Sequence, residues 1–151
     1  MSVDPTETRH RRRSTSPYRL DEQVGFILRQ AAQRHTTIFA ATMVEELTPT
    51  QFAALAKLTE VGPCSQNKLG RLTAMDGATI KGVIDRLTKR GLTETSPDPD
   101  DGRLLMVALT EAGRTLAARA IPAGARITEE TLAPLNPDEQ AQLLALLGKL
   151  R

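Results

Sequence analysis

The chain has 151 residues and a formal charge of +2, with one cysteine and no tryptophan, which is enough for one domain with a real core. The single cysteine excludes an internal disulfide framework and fits a reducing cytoplasm, and no apolar run is long enough to span a bilayer or to form a signal peptide. So small a net charge is no sign of a nucleic-acid partner, but its distribution is uneven. Arg9, Arg11, Arg12, Arg13 and Arg19 against Asp4 and Glu7 leave residues 1–19 at +3, so the remaining 132 sum to −1.

Residues 1–19 have almost no apolar content and read as a flexible basic arm. Its run Arg9-His10-Arg11-Arg12-Arg13 either contacts DNA phosphates or an anionic ligand, or simply solubilises the chain. A helix is predicted from Leu20 to about Met43, where Leu20, Val24, Ile27, Leu28, Ala31, Ile38 and Phe39 keep a helical stripe. Arg29, Arg34 and His35 interrupt it. Thr48-Pro49-Thr50-Gln51 then opens a helix with a capping box and proline in its first turn. Phe52, Leu55 and Leu58 form its stripe, and Gly62-Pro63 ends it. Ser65 caps the next helix, expected to reach about Ala74 with Leu69 and Leu72 inward and Gln66, Lys68 and Arg71 outside.

The stretch Asp76 to Thr110 organises the rest. Asp76 is a plausible cap, Gly91 suits the left-handed residue past a helix end, and Ile80, Val83, Ile84 and Leu87 recur at helical spacing. The opposite face shows Thr79, Lys81, Gly82, Arg86 and Lys89, all small or cationic. After Gly91 the period changes. Residues 92–95 and 104–109 read as strands joined by the turn-rich Ser96-Pro97-Asp98-Pro99-Asp100-Asp101-Gly102, most simply a hairpin. Helix, turn, helix and charged hairpin are the outline of a winged helix-turn-helix, whose usual work is to hold one helix in the major groove of DNA.

Thr110 caps a long alanine-rich helix over 111–134, which Pro122 should kink or interrupt. Asn136-Pro137-Asp138-Glu139 is a second capping box, opening a final helix with Ala141, Leu143, Leu144, Leu147 and Leu150. That much leucine has no obvious intrachain surface reserved for it, so the terminal helices read as a dimer interface or as a cap on the chain's own core.

Asp101-Gly102-Arg103 resembles the Asp-x-Arg wing signature of the MarR (multiple antibiotic resistance regulator) family. The resemblance runs through Asp85-Arg86-Leu87, Arg90-Gly91-Leu92 and Leu109-Thr110-Glu111-Ala112-Gly113, and in element order covers residues 20–151. It implies a mainly α fold with a small β-hairpin wing (α+β), with four segments: a basic arm (1–19), a first dimerisation helix (20–47), a winged helix-turn-helix lobe (48–110) and C-terminal dimerisation helices (111–151). It further implies a homodimeric, cytoplasmic regulator that binds a double-stranded DNA operator and answers to a small effector, an anionic aromatic compound or its thioester. Ser65, Gln66 and Lys68 would hold the DNA backbone. Thr79, Lys81, Gly82 and Arg86 would face the bases, with Asp101 orienting Arg103 in the wing. Many relatives carry two consecutive arginines where this chain has Gly102-Arg103, and a long side chain where it has Gly82. The first helix of the family also lines the effector cleft, which puts Arg29, His35, Phe39 and Phe52 near a ligand.

Enzymatic constellations are missing. The sequence holds two histidines, no Cys/His set at metal-ligand spacing, no phosphate-cradling glycine loop and no nucleophile elbow, so neither cofactor nor membrane partner is expected. Asp98, Asp100 and Asp101 lack the bidentate acid that a calcium loop needs and read instead as turn chemistry. Cys64 reads as a small packed residue, not an oxidant sensor. The competing class is a winged helix kept for protein–protein contact without DNA.

Overall fold

A computed structural model describes residues 16–151, so the arm's Arg9 to Arg13 lie outside the described residues. After a single 3-10 turn at Leu20–Glu22, the helices are α1 (Val24–Thr42), α2 (Pro49–Val61), α3 (Gln66–Leu72), α4 (Gly77–Lys89), α5 (Glu111–Leu132) and α6 (Pro137–Gly148). The strands are β1 (Cys64–Ser65), β2 (Thr93–Pro97) and β3 (Leu105–Leu109), an antiparallel sheet in the order β1-β3-β2. Strands β2 and β3 form the wing, in register Thr93↔Leu109 to Pro97↔Leu105. Strand β1 was not anticipated: Cys64 pairs with Val107, so the segment before α3 is sewn to the wing's base.

Every α-helix except α1, whose preceding Gln23 makes no side-chain cap bond, starts where a side chain can satisfy its free backbone N–H groups. Thr48 accepts from Gln51 N while Gln51 accepts from Thr48 N, both at 3.2 Å, and Asn136 and Glu139 repeat the exchange at the head of α6. Ser65, Asp76 and Thr110 cap α3, α4 and α5. Thr110 also donates to Gly91 O at 2.6 Å, tying the start of α5 to the end of α4.

The core lies mainly within the lobe, with α5 packed into it. Leu55, Leu69, Ile80, Ile84, Leu87 and Val107 are fully buried, joined by Leu58, Cys64, Val83, Leu92, Leu116 and Ala120. Fully burying side chains of this size contributes roughly 1.5–3 kcal/mol each. Leu72 departs from the expected inward stripe and is exposed. The reason is local: α3 ends at Leu72 itself, and Ala74 turns the chain with φ +54°, so no further helical turn continues the apolar stripe past it. Pro122 does not interrupt α5. It costs the helix one bond to the carbonyl of Ala118, and both residues are exposed, so water can serve that oxygen.

Two close approaches fix α5. A methyl on Gly113 would run into the carbonyl oxygen of Leu92, and one on Gly124 into the ring of Phe52. The turn between α1 and α2 is unusual in another way, with Glu45 and Glu46 both at φ +52°, a conformation costly for residues with a Cβ. Arg90 holds it by donating to Glu45 O at 3.0 Å, and Arg119 lies 3.4 Å from the Glu45 carboxylate. By contrast, no residue of α6 is buried within the chain.

Candidate nucleic-acid interface and ligand cavity

The stripe of α4 that packs inward is Ile80, Val83, Ile84 and Leu87, which leaves Thr79, Lys81, Asp85, Arg86 and Lys89 exposed and Gly82 half-buried. Asp76 anchors the helix start, accepting from Thr79 N at 2.7 Å. That bond holds its carboxyl below the usual carboxylate range. Lys81 and Asp85, one turn apart, pair at 2.8 Å. A Cβ built on Gly82 would meet only Arg86 Nη1, at 3.6 Å. On α3, Lys68 is exposed while Ser65 and Gln66 are half-buried. Ser65 Oγ already accepts from Lys68 N at 3.1 Å but keeps its own hydrogen to donate outward.

The wing tip is a connected turn. Asp98 accepts from Asp100 N at 2.7 Å and Asp101 N at 3.0 Å, and donates its own N–H to Leu104 O at 2.8 Å. Asp101 in turn receives Arg103 in a fork, Nε at 3.0 Å and Nη2 at 3.2 Å, and the Arg103 amide at 3.1 Å. The Arg103 side chain is 91% exposed and that of Asp101 is 35%. The guanidinium therefore has a fixed direction while still facing solvent. These bonds, the side-chain pair first, hold the Asp101 carboxyl below its usual range and push Arg103 up. The acids are thus turn chemistry, and among the described residues no cluster of His, Cys, Asp and Glu could hold a metal ion. Cys64 is buried, which pushes its thiol up, with Lys68 pulling more weakly the other way; it is a packed strand residue.

The four residues singled out for a ligand are not brought together in one cavity of the single chain. Phe39 and Phe52 meet edge to face, with ring centroids 6.1 Å apart. Phe52 also lines a cavity of about 530 Å³ between α2 and α5, with Ala56, Thr59, Glu60, Ile121 and Gly124. His35 lies elsewhere, in an apolar groove with Ile27, Leu28, Leu143, Leu144 and Leu147, where its Nδ1 sits 2.9 Å from Thr131 Oγ1. Arg29 is exposed on α1 and lines neither cavity. Its neighbour Arg34 instead binds the end of α5, donating to the carbonyls of Glu130 and Thr131. Sequence reading missed Lys57, which pairs with the rim residue Glu60 at 2.8 Å, and missed Asp85 beside Lys81. Opposite charges three and four residues apart were the available signal.

The sequence pattern of the MarR family matches residues 47–105. A curated relative, the HTH-type transcriptional repressor NicR of Pseudomonas putida, is 44% identical over 136 residues, 89% of this chain and 86% of the relative. The crystal structure of a probable transcriptional regulator from Pseudomonas aeruginosa is 56% identical, with a TM-score of 0.86 over 88% of this chain and all of the other. A structure of Bordetella bronchiseptica BpsR, described by the regulation of its DNA binding by 6-hydroxynicotinic acid, is 43% identical, with a TM-score of 0.86 over 89% and 97%.

Proposed function

The chain belongs to the MarR family of transcriptional regulators, and we propose that it acts as a dimeric repressor which a small anionic aromatic compound releases from a pseudo-palindromic operator. The observation that carries this reading is the outward face of α4, which presents Thr79, Gly82 and Arg86, together with an exposed Lys68 on α3 and a wing arginine locked in direction by Asp101. An arginine pre-set in this way suits the narrow, electronegative minor groove, while α4 occupies the adjacent major groove. Ser65, Gln66 and Lys68 contribute backbone contacts, Ser65 through its remaining hydroxyl hydrogen. Two such lobes meet successive major grooves about 34 Å apart, and the unpartnered leucines of α6 supply the surface that joins them.

Repression is supported by the name of the Pseudomonas putida relative, and the class of effector by 6-hydroxynicotinic acid acting on BpsR. The α2–α5 cavity has the size of a small-molecule site, roughly 300–1,000 Å³. Phe52 gives it an aromatic wall, backed by Phe39. A bound carboxylate would compete with Glu60 for Lys57 at the rim. A free acid suits this volume better than a thioester with its long carrier.

The test is a gel shift with DNA upstream of the chain's own gene, alone and with a panel of 6-hydroxynicotinic acid, benzoates and aryl thioesters. The expected result is a shift reversed by at least one small aromatic acid. No shift at low salt contradicts the DNA reading, and a shift that no panel member reverses contradicts the effector reading.

A further inference from the structure

Two of the three cations on the exposed face of α4, Lys81 and Arg86, are in different circumstances. Lys81 Nζ lies 2.8 Å from Asp85 Oδ2, so its charge is already met within the helix. Arg86 has no carboxylate partner among the described residues. Its guanidinium leans back one turn, to where a side chain at residue 82 would stand, 3.6 Å from the position of a Cβ there. That direction follows from helix geometry, since side chains slope toward the N-terminus and residues i and i+4 share a face. The consequence concerns reach. The N-terminal part of a recognition helix is the part that meets base edges, whereas Arg86 belongs to the last turn of α4. The missing side chain at 82 therefore lets a late arginine send its fork forward, toward the bases.

We propose that Gly82 and Arg86 form one guanine-reading unit, with Gly82 as the specificity-determining position and Lys81 withdrawn from base readout by Asp85. The inference rests on the regulator reading above and names what that surface recognises. A guanidinium matches O6 and N7 of guanine bidentately through a rigid planar fork, where lysine offers only a flexible point charge. An alanine at 82 stays in ordinary contact with Arg86 at 3.6 Å and keeps the unit intact. A long side chain there takes the guanidinium's place.

The experiment is selection from a library of randomised DNA duplexes by the full-length wild type and by Gly82→Ala, Gly82→Gln, Arg86→Ala and Arg86→Lys, each first shown to fold by circular dichroism. The wild type is expected to select a site with one symmetric guanine in each half. Gly82→Ala keeps that preference, Arg86→Lys weakens it, and Arg86→Ala lowers discrimination at that base by about tenfold or more. Gly82→Gln changes the preferred base at the same position while still binding DNA. An Arg86→Ala or Gly82→Gln protein that selects the wild-type site with undiminished preference overturns the inference and leaves the regulator reading standing. A wild type that selects no sequence overturns that reading and the inference with it.

Discussion

At the wing tip one carboxylate decides what an arginine can do. Asp101 accepts both a side-chain fork and a backbone amide from Arg103, although an acid beside a phosphate backbone is otherwise unfavourable. Arg103→Ala is expected to leave folding intact and weaken operator binding by about 1–3 kcal/mol with a shallower salt slope, as measured by fluorescence anisotropy. Asp101→Ala should cause a milder loss in the same direction. Tighter binding by that variant would show that the acid merely repels DNA. Because the Asp101 carboxyl is held below its usual range, the orienting pair is present above that range and is lost only as acid protonates it. DNA affinity should therefore not change between about pH 6 and 8 on its account. Gly82 makes a separate prediction about stability. Alanine there meets no close contact in a helix interior, so Gly82→Ala should raise stability by roughly 0.5–1 kcal/mol in urea unfolding. At this scale much was legible, because turn and helix-face residues interact over two to four positions. The Asp101–Arg103 pair could be read from spacing alone, and Lys81–Asp85 was equally within reach. Phe52 against Gly124 was not, since 72 residues separate them and only the tertiary approach of α2 to α5 brings them together.

Between elements, the sites are positioned by glycine contacts and by one strained turn. Gly113 lets α5 start directly against Leu92 at the root of the wing. Gly113→Ala forces the helix off a backbone carbonyl that cannot yield, and is expected to destabilise by about 1–3 kcal/mol or more, read as a lower midpoint in thermal unfolding. Gly124→Ala meets a ring that can move. It should therefore spare DNA affinity and folding but blunt release by an aromatic acid, because Phe52 must shift within the cavity that it lines. An unchanged effector response in that variant would remove the α2–α5 cavity from the account. Helix starts were readable because caps are local. Helix ends were less so: α3 stops earlier than its apolar pattern suggests, and Leu72 lies outside the core as a result. Strand β1 is two residues long and exists only because β3 lies beside it, so no local period could reveal it.

At the scale of the whole molecule, an apolar helical surface is left uncovered among the described residues. Leu144 and Leu146 of α6 are 57% and 59% exposed, and Ile27 and Leu28 of α1 are exposed as well. A groove lined by Leu143, Leu144 and Leu147 on one side and α1 on the other is what a second copy would cover. Deleting residues 136–151 should give a monomeric or poorly soluble product, since roughly 0.8 kcal/mol per buried methylene is lost over several leucines. A truncated chain that remains folded and dimeric by light scattering would rule out this interface. The excess of leucine was visible in the sequence, but the choice between a partner and an intrachain cap was not, because periodicity states which face is apolar and never what lies against it. The same surface bears on operator recognition, since two α4 helices can be spaced on one duplex only if two chains are joined. The most direct measurement is therefore the affinity and stoichiometry of the full chain on DNA from upstream of its gene, by sedimentation and anisotropy, against unrelated duplex of equal length. Two chains per operator are expected, with binding at least about 10³-fold tighter than to unrelated DNA at the same salt. Equal affinity for the two duplexes, or one chain per site, would contradict this expectation.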